Sequence, residues 1–238
     1  MSRDDHAREL DRMVDAYGRR QAATPTSAWA ELVRGERERH YLQAISSMTS
    51  KRVDELDLVE LGCGAGGELE RMIGLGLDPA RLSGVDLLPD RVDAARKHLP
   101  AEVRLEAGDA TDTGFDSESC DVVFLSTVFT SILDDEVQER FAREAWRLVR
   151  PGGIVLWYDF VVDNPRNPDV RGVPVPRIRA LFPEADATFQ SATLLPPLGR
   201  AVARLGMLGS LAYKTLSCLP FLRTHVVGVL RKHGESRA

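Results

Sequence analysis

The apolar run Leu58-Val59-Glu60-Leu61 leads directly into Gly62-Cys63-Gly64-Ala65-Gly66-Gly67, and a helix-forming Glu68-Leu69-Glu70-Arg71-Met72 follows. Strand, glycine turn and helix in that order let a backbone approach a ligand closely and point the unpaired N–H groups of a helix start toward it. Gly62, Gly64 and Gly67 by themselves satisfy the Gly-x-Gly-x-x-Gly spacing of a dinucleotide site. Gly66 completes a different spacing, acidic-x-Gly-x-Gly-x-Gly, that begins at Glu60. A carboxylate at Glu60 can accept from the ammonium of an amino-acid moiety, a group that a pyrophosphate ligand lacks. Asp86 closes the next apolar run, twenty residues beyond Gly66, where an acidic strand tip can accept from both hydroxyls of a ribose. A third run ends in Glu106-Ala107-Gly108-Asp109-Ala110, with a carboxylate and a following N–H that can read the edge of an adenine. Any one of these aspartates is as readily a solvated loop residue or helix cap. Together, at successive strand tips, they outline a nucleoside that carries an amino acid.

The elements that must position these groups alternate between apolar runs and amphipathic ones, the pattern of parallel strands joined by crossover helices. Strands are expected near 56–61, 81–86, 102–107, 121–126 and 153–159, with helices at Glu68–Ile73, Pro89–His98 and Asp134–Val149, giving five βα units. Before them, residues 4–48 have helical periodicity, interrupted at Thr24-Pro25-Thr26, and read as a helical cap. After Phe160 the segment 161–177 carries Pro165, Pro168, Pro174 and Pro176 and is expected to be a loop. Two more strands are expected near 187–194 and 225–230, flanking an apolar segment at 198–222 that contains a helix.

The stretch from about 56 to 160 resembles the class I S-adenosylmethionine-dependent methyltransferases, of the type that acts on small molecules or sugars. VELGCGAGG, SGVDLLPDRV, AGDATD, CDVVFLSTV and LVRPGGIVLWYDF match the successive motifs of that family in order. The resemblance implies a Rossmann-like α/β fold: a seven-stranded mixed sheet, order 3-2-1-4-5-7-6, flanked by helices, with S-adenosylmethionine as cofactor. It implies that Glu60, Gly62, Gly64 and Gly66 hold the methionine end and that Asp86 binds the ribose. Leu87 would pack on the adenine, Asp109 and Ala110 would read its edge, and Ser126 would lie beneath the cofactor near the reacting methyl. Residues 1–50 would be a cap within the same domain as 51–238.

Methyl transfer from a sulfonium requires little acid help, so positioning can supply much of the rate. For a hydroxyl acceptor Asp159, at the tip of the fifth strand, is the first candidate base, ahead of Thr127, Tyr158 and Asp163. His225 reads as structural, and His6, His40 and His98 as surface residues of helices. No metal is expected: where family members that act on catechols place metal ligands, this chain has Ser126 or Thr127 and Asp159-Phe160. The loop 161–177, with Asn164, Arg166 and Arg171, is the candidate for acceptor recognition, suited to a polyhydroxylated or phosphorylated molecule. It resembles loops in methyltransferases of bacterial surface-polysaccharide and secondary-metabolite pathways, which makes sugar hydroxyls the first acceptor and small natural products the second. Two rival readings are a nicotinamide-dependent oxidoreductase and a non-catalytic partner subunit with the same fold. None of Tyr17, Tyr41, Tyr158 or Tyr213 is followed four residues later by lysine, which counts against a short-chain dehydrogenase.

The 238 residues, 43% hydrophobic and 28% charged, suit one folded domain. A net charge of −5 and a pI near 5.6 argue against nucleic acid as partner. Cys63, Cys120 and Cys218 form no metal-type or disulfide-type pattern, and the charged N-terminus lacks a signal-like apolar core, so a cytoplasmic location is expected. One asymmetry stands out: residues 187–234 contain no Asp or Glu but six Arg and Lys, which leaves −11 on the remainder. Leu198, Val202, Leu205, Leu208, Leu211, Ala212, Leu216 and Leu219 can form a broad apolar helical face there. Such a face either covers the sheet or a homodimer contact, or docks 198–222 peripherally on the inner face of an anionic membrane.

Overall fold

A computed structural model describes residues 3–19, 27–47, 51–164 and 167–234. Two helices, α1 (Arg3–Arg19) and α2 (Ala28–Ser46), precede the sheet. Five strands follow with their helices: β1 (Leu58–Leu61), α3 (Gly67–Gly74), β2 (Leu82–Asp86), α4 (Pro89–Arg96), β3 (Arg104–Ala107), β4 (Cys120–Ser126), α5 (Asp135–Leu148) and β5 (Val149–Phe160). The chain ends with α6 (Val175–Leu181), β6 (Asp186–Leu194), α7 (Pro196–Ala203), α8 (Met207–Leu216) and β7 (Arg223–Arg231). The strands form a single sheet in order β3-β2-β1-β4-β5-β7-β6, with β7 antiparallel to both neighbours. This is the expected mixed sheet.

The central strands are apolar on both faces because helices cover both. Val59, Leu61, Val123, Leu125 and Trp157 pack toward Phe141, Ala145 and Met13 on one side. Leu58, Phe124, Leu156 and Tyr158 pack toward Tyr41, Ile45, Leu69 and Val92 on the other. The described part of the N-terminal cap therefore divides, with α1 contributing to one core and α2 to the other. Caps fix the helix entries: Asp134 accepts from the N–H groups of Glu136 and Val137 at 2.9 and 3.0 Å, worth about 1 kcal/mol.

Three expectations are corrected. The link from β3 to β4 contains no helix, so the run is not five complete βα units. The proline-rich segment does not stay irregular to residue 177, because Pro174 caps α6 and Pro176 sits in its first turn, where a missing N–H costs nothing. The apolar segment at 198–222 breaks at Gly206 (φ +57°) into α7 and α8. The breaker Thr24-Pro25-Thr26 lies outside the described residues.

Candidate functional site

The turn between β1 and α3 has positive φ at Gly62, Gly64 and Gly66, +82°, +53° and +80°, which side chains rarely tolerate. A Cβ on Gly66 would also lie 2.6 Å from Leu99 Cδ1 and 3.0 Å from Ala95 Cβ. Gly67 has neither constraint: its φ is not positive and open space surrounds the place of a Cβ. The third glycine of a dinucleotide motif is there for close packing of helix on strand. Here that demand falls on Gly66 and not on Gly67, so the turn follows the acidic-x-Gly-x-Gly-x-Gly spacing.

At the carboxyl edge of the sheet the turn opens into a cleft of about 140 Å³. Gly62, Asp86, Leu87, Asp109, Ala110 and Ser126 all line it, and these six arrive from four strand ends or the turns after them. Asp86, buried, accepts from the Gly64 N–H at 2.7 Å and the Leu88 N–H at 3.1 Å, which fixes the carboxylate against the glycine turn. Asp109 accepts from the Thr111 N–H at 2.8 Å and meets His6 Nε2 at 2.6 Å. His6 is thus no surface residue: its side chain is only 15% exposed and belongs to a lid that α1 forms over the cleft. Leu10, Met13 and Tyr17 of the same helix line the wall. The Tyr17 ring lies under the Arg91 guanidinium at 4.8 Å, and its hydroxyl donates to Ser131 Oγ.

Glu60 lies at the other end of the glycine turn. It is 1% exposed, and its Oε2 has no hydrogen-bond partner. Burial pushes its pKa well above the ordinary carboxylate range, Glu68 adds to the rise, and the charge of Arg37 opposes it. A buried acceptor without a donor costs free energy unless a ligand supplies one. Arg37, from α2, donates to Ser126 Oγ at 3.1 Å and to the Tyr41 hydroxyl at 2.9 Å, and pairs with Glu68 at 2.7 Å. Its guanidinium stacks 4.1 Å above the Tyr158 ring. Burial works against its charge, but Tyr41 and Glu68 outweigh that, and it stays protonated. The buried acid thus feels the charge of a buried, permanently charged cation, though neither lines the cleft itself. Ammonium and carboxylate of one amino acid would complement that pair.

Several expected site residues lie elsewhere. Asp159 is fully buried and does not line the cleft. Its oxygens accept from the Thr130 N–H and hydroxyl, at 3.2 and 2.7 Å, and from the Phe160 N–H, so it anchors the turn after β4 and is no base at the cleft. Burial raises its pKa to about 7 despite the Thr130 hydrogen bonds. Tyr158 gives its hydroxyl to a contact with Thr193 Oγ1 at 2.8 Å, and Asp163 accepts from the Gly172 N–H at 2.8 Å. Arg171 is directed away from the cleft: it pairs with Asp135, and its N–H donates to the Thr130 carbonyl. Arg177 likewise binds Gln138 and the Asp135 carbonyl. The loop is strapped to the start of α5. Asn164 is exposed on it, outside the cleft lining, and Arg166 lies outside the described residues. Thr127 does line the cleft, with φ +55°, a strained conformation for a β-branched residue. Among the described residues no group of three or more His, Cys, Asp or Glu is placed to hold a metal ion.

Sequence reasoning missed Arg37, Arg91, Tyr17 and the role of His6. Arg37 sits in the run Glu36-Arg37-Glu38-Arg39, which reads as a solvated helix face. Its one signal is the aromatic Tyr41 a turn later, a pairing that many exposed helices share.

Residues 59–157 match the family model described as a methyltransferase domain. Over that stretch, less than half of the chain, it is similar to methyltransferase domains. Among curated relatives, erythromycin 3''-O-methyltransferase of Saccharopolyspora erythraea is 33% identical over 101 residues, 40% of this chain and 32% of that protein. A Streptomyces fradiae protein is 26% identical over 67% of the chain and 56% of its own length, so the chain spans between a third and just over half of these relatives. The fold is shared with a methyltransferase from Archaeoglobus fulgidus (TM-score 0.59, 15% identity, covering 84% and 94% of the two chains). It is shared equally with geranyl diphosphate C-methyltransferase of Streptomyces coelicolor (0.61, 14%, 94% and 97%) and with the [4+2]-cyclase SpnF (0.60, 15%, 96% and 95%). Since a cyclase has this fold, function must be argued from the site.

Proposed function

We propose that the chain transfers the methyl group of S-adenosylmethionine to a hydroxyl oxygen of a small-molecule acceptor. The observation that carries this reading is the buried Glu60 Oε2, which lacks a partner just before the glycine turn that opens into the cleft and lies within the field of the Arg37 charge. Glu60 would accept from the ammonium, Arg37 would face the carboxylate, Asp86 the ribose, and Asp109 with the Ala110 N–H the adenine edge. The cofactor supplies an electrophilic methyl on a sulfonium, whose departure needs no protonation. The protein's part is to hold that donor beside Ser126 and Thr127 under α1, with the acceptor's hydroxyl proton passing to solvent, so that catalysis is chiefly positioning. Oxygen as the acceptor atom is supported by the relative named for O-methylation of erythromycin, which also favours a natural product over a polymer. Arg171 and Arg177 lend no support to a phosphorylated acceptor, since both are paired within the fold. A nicotinamide cofactor fits poorly, because its pyrophosphate would bring negative charge to the buried Glu60.

Calorimetry with S-adenosylmethionine, S-adenosylhomocysteine and NAD tests the cofactor assignment: the first two should bind and NAD should not. Absence of binding by both sulfur nucleosides would overturn it. Incubation with isotopically labelled cofactor and small-molecule extracts, followed by mass spectrometry, should reveal an O-methylated product.

A further inference from the structure

The acid-free segment at the end of the chain divides into a buried and an outward side. Val202 and Tyr213 pack with Leu194, and against Trp29 and Leu32 of α2. Glu36, on the same helix, ties the unit down by accepting from the Tyr213 hydroxyl at 2.8 Å and from Arg223 at 2.8 Å. The opposite side faces solvent: Leu205, Leu208, Leu211 and Phe221 are 56%, 71%, 65% and 76% exposed. Large apolar side chains exposed together in this way mark an interaction surface rather than the scattered exposure of an ordinary one. Arg200 and Lys214 are exposed on the same two helices and Arg204 directly after α7, with the Arg200 guanidinium 5.7 Å from the centre of the Trp29 ring. No carboxylate lies between Ala187 and Gly234 to neutralise them.

We infer that the outer face of α7 and α8 is a docking surface for an anionic phospholipid bilayer. Charge chooses the occupant. A second copy presenting the same face would oppose cation to cation across a two-fold axis, whereas anionic headgroups complement the three cations and the acyl region takes up the leucines and Phe221. Among the described residues no helix is long and apolar enough to cross a membrane, so the contact is peripheral. Topology gives it a use. Strand β6 runs parallel to β5 through their shared neighbour β7, so the chain leaves Leu194 at the carboxyl edge of the sheet, the edge that carries the cleft. A bilayer held there would deliver a lipid-dissolved acceptor to the side of the site.

Flotation of the full chain with vesicles tests this, comparing phosphatidylglycerol–phosphatidylcholine mixtures with phosphatidylcholine alone. At low salt the three cations should give a preference for anionic vesicles on the order of a hundredfold, weakening as salt is added. The double variant Leu208→Ser, Leu211→Ser and the double variant Arg204→Glu, Lys214→Glu should each abolish flotation. Both should keep the melting temperature and the cofactor affinity, since these side chains are exposed and none of them lines the cleft. Absence of flotation by the unaltered chain would overturn the inference. So would a concentration-dependent dimer in sedimentation velocity that the leucine variant dissociates, because the face would then be a contact between copies. Neither outcome would touch the cofactor assignment, which calorimetry reads separately.

Discussion

Replacing Glu60 by Gln should have opposite effects on the free protein and on its complex. The carboxylate is 1% exposed, with one oxygen lacking any donor, and burial raises its pKa well above the ordinary value. Its folded pKa exceeds the unfolded one, so the folded state holds the extra proton. This favours folding at pH values below the ordinary carboxylate range, and the advantage is lost as pH rises through the elevated value. Above the ordinary carboxylate range the buried carboxyl is therefore a burden on the free protein, and a neutral amide of the same shape should raise its melting temperature. The complex needs the charge. A hydrogen bond between carboxylate and ammonium contributes about 1.5–3 kcal/mol, so the variant should bind S-adenosylmethionine roughly 10- to 150-fold more weakly. Binding to the unaltered protein should also release a proton below the elevated pKa, and affinity should strengthen as pH rises. Titration calorimetry in buffers of different ionisation enthalpy measures the proton, and scanning fluorimetry measures the stability. An unchanged dissociation constant in the variant, or a lower melting temperature without ligand, would refute the reasoning.

Arg37→Met should abolish binding of S-adenosylmethionine while leaving adenosine affinity within about twofold, as measured by calorimetry, because the group proposed to meet Arg37 is the cofactor's carboxylate. It should also cost about 2 kcal/mol of stability in urea titrations, since half-buried Glu68 loses Arg37 and keeps only Arg71 as a partner. Asp86→Ala removes the acceptor of the Gly64 and Leu88 N–H groups as well as the one proposed for the ribose. Its affinity for S-adenosylhomocysteine should fall at least tenfold, at about 1–3 kcal/mol per hydrogen bond lost. His225, stacked on Tyr158, has its pKa lowered to about 4 by burial and by the charge of Arg37. The folded state thus keeps it neutral, and stability that is full above the ordinary value of 6.5 should be lost as pH falls from there toward 4. Urea unfolding at pH 7.5 and pH 5 should show this loss, and His225→Gln should reduce it.

The glycine turn and the acidic strand tips were legible because each is a local constraint. Positive φ at Gly62, Gly64 and Gly66 demands glycine whatever surrounds it, and a carboxylate just past an apolar run must emerge at the sheet edge. The seven strands and their order followed from the match of motif order to a known arrangement. The same local logic misled at Asp159. A strand tip looks open in sequence, but the turn after β4 folds back over this one and consumes its oxygens. It misled again at Arg171, where a proline-rich loop with cations reads as a binding loop until Asp135 appears beside it.

The sequence by itself singled out Glu60, the glycine turn, Asp86, Asp109 and Ala110, since these lie within a few positions of β1, β2 and β3, whose geometry the local pattern dictates. Arg37 and the α1 lid were decided only by tertiary structure. Arg37 reaches Ser126 across 89 residues and His6 reaches Asp109 across 103, both from helices before the sheet whose charged residues carry no mark of their partners. The physical reason is that helical periodicity fixes which face a side chain shares but not what packs against it. The leucines of α7 and α8 show the same limit: one apolar stripe in sequence, they divide into a side pressed on α2 and a side turned to solvent only because Gly206 breaks the helix and Glu36 anchors α8 through Tyr213.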